Sequence, residues 1–213
     1  MINNQKQVPD VVIRRLPRYY RYLSELLKLD TKRISSAALS KKMGVTASQI
    51  RQDFNYFGGF GQQGYGYNVE NLHRTIGEIL GINTYNMTII IGAGNLGRAL
   101  ANHDSIEKRG FKITALFDVS PEICGTEVNS KPVYNISALE EYIKDNRVDI
   151  AILTTPKSCI QEMVSRLEKA GVKGVLNFAY TEISDSCGMA VENVHLTDSL
   201  MTLSFKMNHT EEK

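Results

Sequence analysis

The residues best spaced for chemistry lie near the middle of the chain. Thr88-Ile89-Ile90-Ile91 leads into Gly92-Ala93-Gly94-Asn95-Leu96-Gly97, and a helical pattern follows. In such a run the first glycine makes a tight turn, the second lets the backbone approach a pyrophosphate, and the third lets helix and strand pack closely. The unpaired N–H groups at the helix start favour an anion. A second apolar stretch ends in Phe117-Asp118, and Asp118 lies 21 residues after Gly97, where a carboxylate can hydrogen-bond the adenosine ribose. It would repel a 2′-phosphate, and Val119-Ser120-Pro121 supplies no base nearby, so NAD(H) is favoured over NADP(H). Gly-x-Gly-x-x-Gly alone is a weak signal, and a glycine-rich turn without a ligand is the alternative. Thr154-Thr155-Pro156 and Asn177-Phe178-Ala179 end two further apolar stretches. Strand C-terminal ends are where such sheets bind ligands, so both are candidates to line the ribose and nicotinamide; ordinary strand-end turns are the other reading.

Catalytic groups do not accompany this signature. A dehydrogenase needs an acid or base beside the nicotinamide. The candidates are His103, His195, Tyr180 and Lys157, but no Tyr-xxx-Lys pair and no His-Asp pairing is legible. No second domain for a substrate is visible either, so cofactor binding without catalysis implies sensing. Cys124, Cys159 and Cys187 are scattered, with no CxxC pair and no metal-ligand spacing, which suggests reduced thiols and no metal.

The first third carries different chemistry. Residues 1–67 hold 11 Lys or Arg against 4 Asp or Glu, a balance of +7, while residues 68–213 balance at −5. A basic segment of this kind suits a polyanion. Thr46 with Gln49 three residues on is a capping-box pattern that opens a helix to about Tyr56, with Ile50 and Phe54 inward and Arg51 outward. Arg51 suits bidentate contact with guanine, and Ser48, Gln49 and Gln52 are secondary candidates. Phe57 to Tyr67 then holds five glycines in eleven residues, interleaved with aromatics. That composition reads as a hairpin wing whose tip, Gly61-Gln62-Gln63-Gly64-Tyr65, can approach a phosphate backbone; a flexible linker is the alternative.

These residues need elements to hold them. A first helix runs from about Pro9 to Lys28 with an apolar stripe of Val12, Leu16, Tyr19, Leu23 and Leu27, and Pro17 predicts a bend or break. A short helix capped by Ser35 or Ser36 ends at Gly44. With the Thr46 helix it forms either a helix-turn-helix or a plain helical hairpin. A fourth helix covers Asn68 to about Leu80. Beyond it strands are expected at 87–91, 112–117, 149–154, 173–178 and 190–194, and helices at 95–109, 137–146 and 158–170. The fold class is α/β: an N-terminal winged helix-turn-helix domain (1–84), a Rossmann-like doubly wound parallel sheet (85–197) and a C-terminal helix and tail (198–213). No apolar run approaches the roughly 20 residues that span a bilayer, and the polar start lacks a secretory pattern, so a cytoplasmic protein is expected.

Along nearly its whole length the chain resembles the Rex redox-sensing repressors. The matching stretches are Arg15-Leu16-Pro17-Arg18-Tyr19-Tyr20-Arg21, Ser48 to Asp53, the glycine-rich wing through Val69, Gly92 to Gly97, Phe117-Asp118, Leu153 to Pro156, Leu176 to Ala179 and Leu203-Ser204-Phe205. The resemblance implies a non-enzymatic homodimer whose C-terminal helices swap between subunits. It also implies an inverted-repeat operator of double-stranded DNA, released by NADH, for which NAD+ competes without releasing DNA. The wing tip, often basic in the family, is Gln62-Gln63 here, which shifts weight to Arg51 and to Arg14, Arg15 or Arg18. In known members a Tyr and an Asp at the positions of His103 and His195 form a switch network with the residue matching Arg21; here both are histidines, and Asp198 is the candidate replacement carboxylate. Coupling is therefore expected to vary with pH near 6–7, where histidine titrates. Leu196 of a second copy is expected to join Phe178 and Ala179 around the nicotinamide. The competing readings are an NAD-dependent oxidoreductase with a basic N-terminal extension and a CoA-binding Rossmann protein, which should not need Asp118.

Overall fold

The computed structural model describes residues 8–58, 61–62, 65–184 and 188–209, without the side chains of 61 and 62. The chain divides into two compact units between Asn83 and Thr84.

The N-terminal unit begins with α1 (Asp10–Ile13) and α2 (Leu16–Lys28). The bend expected at Pro17 is a break two residues earlier. Arg14 and Arg15 separate the pieces, and Pro17 sits in the first turn of α2, where its missing N–H removes no intrahelical bond. After β1 (Arg33–Ile34), α3 (Ser36–Met43) is capped by Ser35, whose Oγ accepts from Ala38 N at 3.0 Å. Gly44 ends it in the left-handed region with φ 68°. Thr46 Oγ1 then accepts from Gln49 N at 3.1 Å and opens α4 (Ala47–Asn55). β2 (Gly61–Gln62) and β3 (Gly66–Asn68) form a hairpin, and β1 completes a three-stranded antiparallel sheet in the order β1-β3-β2. This is the wing. Gly66 is required there, because its φ is 70° and a Cβ would lie 2.7 Å from the Ile34 carbonyl oxygen. α5 (Val69–Ile79) closes the unit over a core of Leu16, Tyr19, Leu23, Leu39, Ile50, Phe54, Leu72 and Ile76. Each such side chain contributes about 1.5–3 kcal/mol by leaving water.

The second unit runs β4 (Asn86–Ile91), α6 (Asn95–Ala101), α7 (Asp104–Glu107), β5 (Phe111–Asp118), β6 (Glu127–Val128), β7 (Lys131–Asn135), α8 (Leu139–Asp145), β8 (Ile150–Leu153), α9 (Ile160–Lys169), β9 (Gly174–Asn177), β10 (Ala190–Asn193) and α10 (Leu196–His209). The sheet order is β10-β9-β8-β4-β5-β7-β6, parallel throughout except for the β6–β7 pair. Alternate residues of β4 feed two cores: Ile89 and Ile91 on one face, Ile90 on the other. A sheet buried on both faces explains why β4 and β8 read as unbroken apolar runs. The strand order reverses between β4 and β8, and ligands bind at such a switch point, outside the strand C-termini. The expected helix 95–109 is two pieces, interrupted at Asn102-His103. α10 has no buried residue, and Leu200, Met201, Leu203, Phe205 and Met207 all lie exposed along it.

Among the described residues no helix is long and apolar enough to cross a membrane. Also among them, no group of three or more His, Cys, Asp or Glu residues could hold a metal ion. Cys124 is half-buried and Cys159 exposed, both as free thiols; Cys187 lies outside the described residues.

Candidate functional site

At the C-terminal end of β4 the chain turns through Gly92, whose φ is 104°. Gly92 N donates to Phe117 O at 2.8 Å, and Thr154 Oγ1 donates to Gly92 O at 2.8 Å. The turn is thus pinned by β5 on one side and by the end of β8 on the other. A Cβ on Gly97 would lie 1.9 Å from Gly92 O, whereas one on Gly94 would meet nothing within 4 Å. The first contact keeps α6 close to the turn; the second leaves open space at the helix start. Arg98 Nε donates to Ala93 O at 2.9 Å and fixes the turn from α6.

Asp118 closes the site from the end of β5. One carboxylate oxygen accepts from Ala93 N at 2.6 Å and the other from Ser120 N at 2.9 Å. Each oxygen keeps further acceptor capacity, so the group is oriented yet still able to take ribose hydroxyls. Thr155 Oγ1, at the end of β8, is buried with no hydrogen-bond partner among the described residues. A buried orphan hydroxyl at a strand C-terminus is a signal for a ligand atom. Pro156 is exposed beside it.

Asn177, a candidate for the nucleotide from its position at the end of β9, has its side chain engaged within the chain. It is fully buried, its Nδ2 donates to Thr181 O at 2.6 Å and Asn193 Oδ1 at 2.8 Å, and its Oδ1 accepts from Ala179 N at 2.9 Å. With its polar atoms engaged inside the chain, it shapes the turn after β9, where Phe178 is half-buried against one core and Ala179 is buried in the other. Asn193 holds the far side of that turn through Ile183 N at 3.2 Å and Ile183 O at 3.1 Å.

His195 follows β10 and meets Glu182 Oε1 at 3.1 Å, with the Tyr180 ring edge-on at 5.6 Å. Glu182 is a carboxylate that sequence reasoning missed; Asp198 stands exposed in the first turn of α10, one turn from His195 O, to which its backbone N–H donates at 3.2 Å. No spacing rule could have found Glu182, because its approach to His195 depends on how the loop folds back. His103 lies exposed before α7 with Ser105 Oγ at 2.9 Å from its Nδ1. Leu196 is the exposed first residue of α10, and Arg21 is exposed on α2.

On the N-terminal unit, α4 turns Ile50, Asp53 and Phe54 inward and leaves Ser48, Arg51 and Gln52 exposed, with Gln49 half-buried. Arg51 Nη1 donates to Ser36 Oγ at 3.1 Å. Gly61 and Gln62 form the β2 edge of the wing; Gln63 and Gly64 lie outside the described residues. Tyr65 is exposed, and Arg33, a cation beside the wing that was not singled out, donates to Tyr65 O at 3.2 Å and lies over its ring at 5.9 Å. Three arginines expected on phosphates have partners inside the unit. Arg14 pairs with Asp10 at 2.7 Å, Arg15 with Asp53 at 2.7 Å, and Arg18 donates to Met43 O at 3.1 Å.

Two families match parts of this chain. One, described as Putative DNA-binding protein N-terminus, matches residues 7–55, and another, CoA binding domain, matches residues 83–181. The redox-sensing transcriptional repressor Rex of Thermoanaerobacter pseudethanolicus is 53% identical over 211 residues, covering 99% of this chain and 94% of that protein. The Rex of Clostridioides difficile is 53% identical over 207 residues, covering 97% and 98%.

The chain belongs to the Rex family of redox-sensing transcriptional repressors.

Solved structures agree with Rex membership. A crystal structure of RSP with β-NAD+ and operator DNA superposes with a TM-score of 0.89 at 53% identity, covering 94% of this chain and 93% of that one. RSP with β-NADH gives 0.87 at 49% identity, covering 95% of each. Rex proteins are repressors and not enzymes, which sets aside the oxidoreductase reading. The CoA binding domain match covers the same glycine-rich unit, but the oriented Asp118 carboxylate is the feature that a dinucleotide ribose calls for.

Proposed function

We propose that this Rex chain represses transcription in the cytoplasm by binding an inverted-repeat operator as a homodimer, and that NADH in the β4–β8 crevice releases it. The observation that carries this reading is a set of groups at the C-terminal ends of β4, β5 and β8. An oriented Asp118, an open Gly94 and the orphaned Thr155 hydroxyl surround one strand switch point, on a chain that also exposes a helix-turn-helix and its wing. RSP, a Rex-family repressor, has been crystallised with β-NAD+ and operator DNA and with β-NADH.

In this reading α4 enters the major groove. Arg51 reads a guanine, with Ser48, Gln49 and Gln52 beside it, while Gly61 to Tyr65 of the wing follow the backbone. Asp118 takes the ribose hydroxyls, and Gly92 to Gly97 cradle the pyrophosphate. Thr154 holds the turn, while Thr155 and Pro156, with Phe178 and Ala179 on the loop shaped by Asn177, border the nicotinamide. The exposed apolar residues of α10 find their cover on a second copy, because an isolated helix this short is marginal in water. Leu196 then joins the second copy's Phe178 and Ala179. Oxidised nicotinamide is cationic and reduced nicotinamide neutral, so an apolar lining favours NADH. A change in subunit geometry alters the spacing of two recognition helices, which DNA fixes at its helical repeat. Arg21, His103, His195 and Asp198 are the candidates to couple the units, with Glu182 as the carboxylate at His195.

The test is anisotropy of a labelled operator selected from random duplexes, titrated with NADH, NAD+ and NADPH. NADH is expected to release DNA, NAD+ to leave it bound, and NADPH to act weakly because Asp118 repels a 2′-phosphate. Equal effects of NADH and NAD+ would sink the redox reading. NADPH as potent as NADH would sink the role of Asp118.

A further inference from the structure

Among the described residues of the N-terminal unit Asp53 is the most deeply buried charged side chain, 1% exposed on the inner side of α4. Arg15 reaches it from the break between α1 and α2, across 38 residues of sequence. Arg15 Nε donates to Asp53 Oδ2 and Nη2 to Oδ1, both at 2.7 Å, and Tyr19 Oη adds a third bond to Oδ2 at 2.7 Å. Asp53 holds the Arg15 guanidinium above its ordinary pKa, and burial, aided by Asp53, raises that of Tyr19. A buried pair of this kind is a weak source of stability, since apolar replacements of similar volume are often neutral or better. What a planar fork supplies is direction. Two parallel bonds fix one orientation of the carboxylate, and α4 turns about 100° per residue, so any rotation of the helix breaks them. The exposed side of the same helix carries Arg51, two residues before Asp53.

We propose that Arg15 is a positioning residue: its fork on Asp53 sets the rotation of α4, and thereby the reading of operator sequence, without contacting DNA. This rests on the DNA-binding role of α4 proposed above. It assigns Arg15 a part opposite to that of a phosphate contact, and the two parts separate cleanly. Loss of a phosphate contact weakens all DNA alike and lowers the salt slope by about 0.9. Loss of helix rotation weakens only the cognate sequence.

The experiment measures affinity for the selected operator and for a random duplex across a salt series, with wild type, Arg15→Lys and the double variant Arg15→Met with Asp53→Leu. Arg15→Lys keeps the charge and loses the fork; the double variant, made in a Tyr19→Phe background so that no hydroxyl is left unmet, removes both buried charges together and leaves neither unpaired. Both are expected to lower operator affinity by roughly tenfold, the discrimination of one bidentate base contact. Random-duplex affinity and the salt slope should stay at wild-type values. Parallel losses on both duplexes with a shallower slope in the double variant would overturn the proposal, and so would unchanged operator affinity in both variants. A wild-type chain that fails to distinguish operator from random duplex would instead defeat the DNA-binding reading beneath it.

Discussion

Asp53 in the N-terminal unit and the Thr155 hydroxyl in the Rossmann unit are both removed from water, but only the first has partners. Asp53 accepts three hydrogen bonds from Arg15 and Tyr19; Thr155 Oγ1 has none among the described residues. Among the described residues the N-terminal unit completes its buried polar contacts within itself, as an element that must present one fixed face to a rigid partner would. The Rossmann unit orients Asp118 with two backbone N–H groups at the end of β5 and leaves the Thr155 hydroxyl after β8 without a partner among the described residues, as a site that is completed by a ligand would. The difference separates residues that position a site from residues that contact its ligand, a distinction that residue type alone does not make.

The strongest way to break this comparison is one methyl group. In Gly97→Ala the new Cβ would sit 1.9 Å from Gly92 O, so α6 must leave the turn at a cost of about 1–3 kcal/mol. The Ala93 N–H contact to Asp118 moves with it. NADH should then fail to release the operator at tenfold the concentration that releases wild type, while operator affinity without nucleotide holds. An unchanged NADH response in the anisotropy titration would show that the close approach is not needed.

A pair of hydroxyl deletions sharpens it, because the expected signs are opposite. Tyr19→Phe withdraws a hydrogen bond from a buried carboxylate and should destabilise by about 1.5–3 kcal/mol. Thr155→Val removes a hydroxyl whose burial without a partner costs about 1–3 kcal/mol. The ligand-free protein should therefore melt higher, by about 2–4 °C per kcal/mol gained, and bind NADH several-fold more weakly. A valine variant that melts lower, or binds NADH as wild type does, would remove Thr155 from the ligand.

The sequence carried much of the fold because local rules and burial agreed there. The fully apolar runs at Thr88–Ile91 and Ile150–Leu153, the Ser35 and Thr46 caps and the glycine-rich wing each announce their element. The β6–β7 hairpin was not legible: β6 is an edge strand of two residues, and β7 opens on Lys131-Pro132, a charge and a proline that pair only with that short edge and disguise the strand. The helix at 95–109 was read as continuous because its apolar spacing bridges the break at Asn102-His103. Within the candidate site, the turn at Gly92, the close approach at Gly97 and the place of Asp118 at the end of β5 were legible, since they follow from spacing. The partners of Arg15, Asn177 and Glu182 were not, because the fold brings each of them close from a distant part of the sequence. A basic residue near a recognition helix looks the same in sequence whether it faces DNA or a buried aspartate.

The smallest expected effect separates the two units by pH. His73 on α5 stacks on Tyr20 of α2 with ring centroids 4.1 Å apart, and its Nε2 lies 2.9 Å from Ser24 Oγ. Burial lowers its pKa below the ordinary 6.5, so the folded unit takes up a proton less readily than the unfolded chain. Its contribution is fully present above about 6.5 and declines as pH falls below that value. In the Rossmann unit two carboxylates, Asp149 and Glu140, are shifted. Burial opposes the charge of Asp149, but Lys173, the Met87 N–H and Arg147 together hold it below its ordinary 3.8, and Arg166 holds Glu140 below 4.5. Their contributions persist until pH falls through those depressed values. Between about pH 7 and 5, amide exchange should therefore lose protection modestly in α2 and α5 and not in β4 or β8. His73→Phe keeps an aromatic ring against Tyr20 and removes the titration, so the loss in α2 and α5 should vanish. If the variant lost protection over the same range as wild type, His73 would not be the acid-sensitive group of this unit; if β4 and β8 lost it too, the two units would not differ in the way their buried groups require.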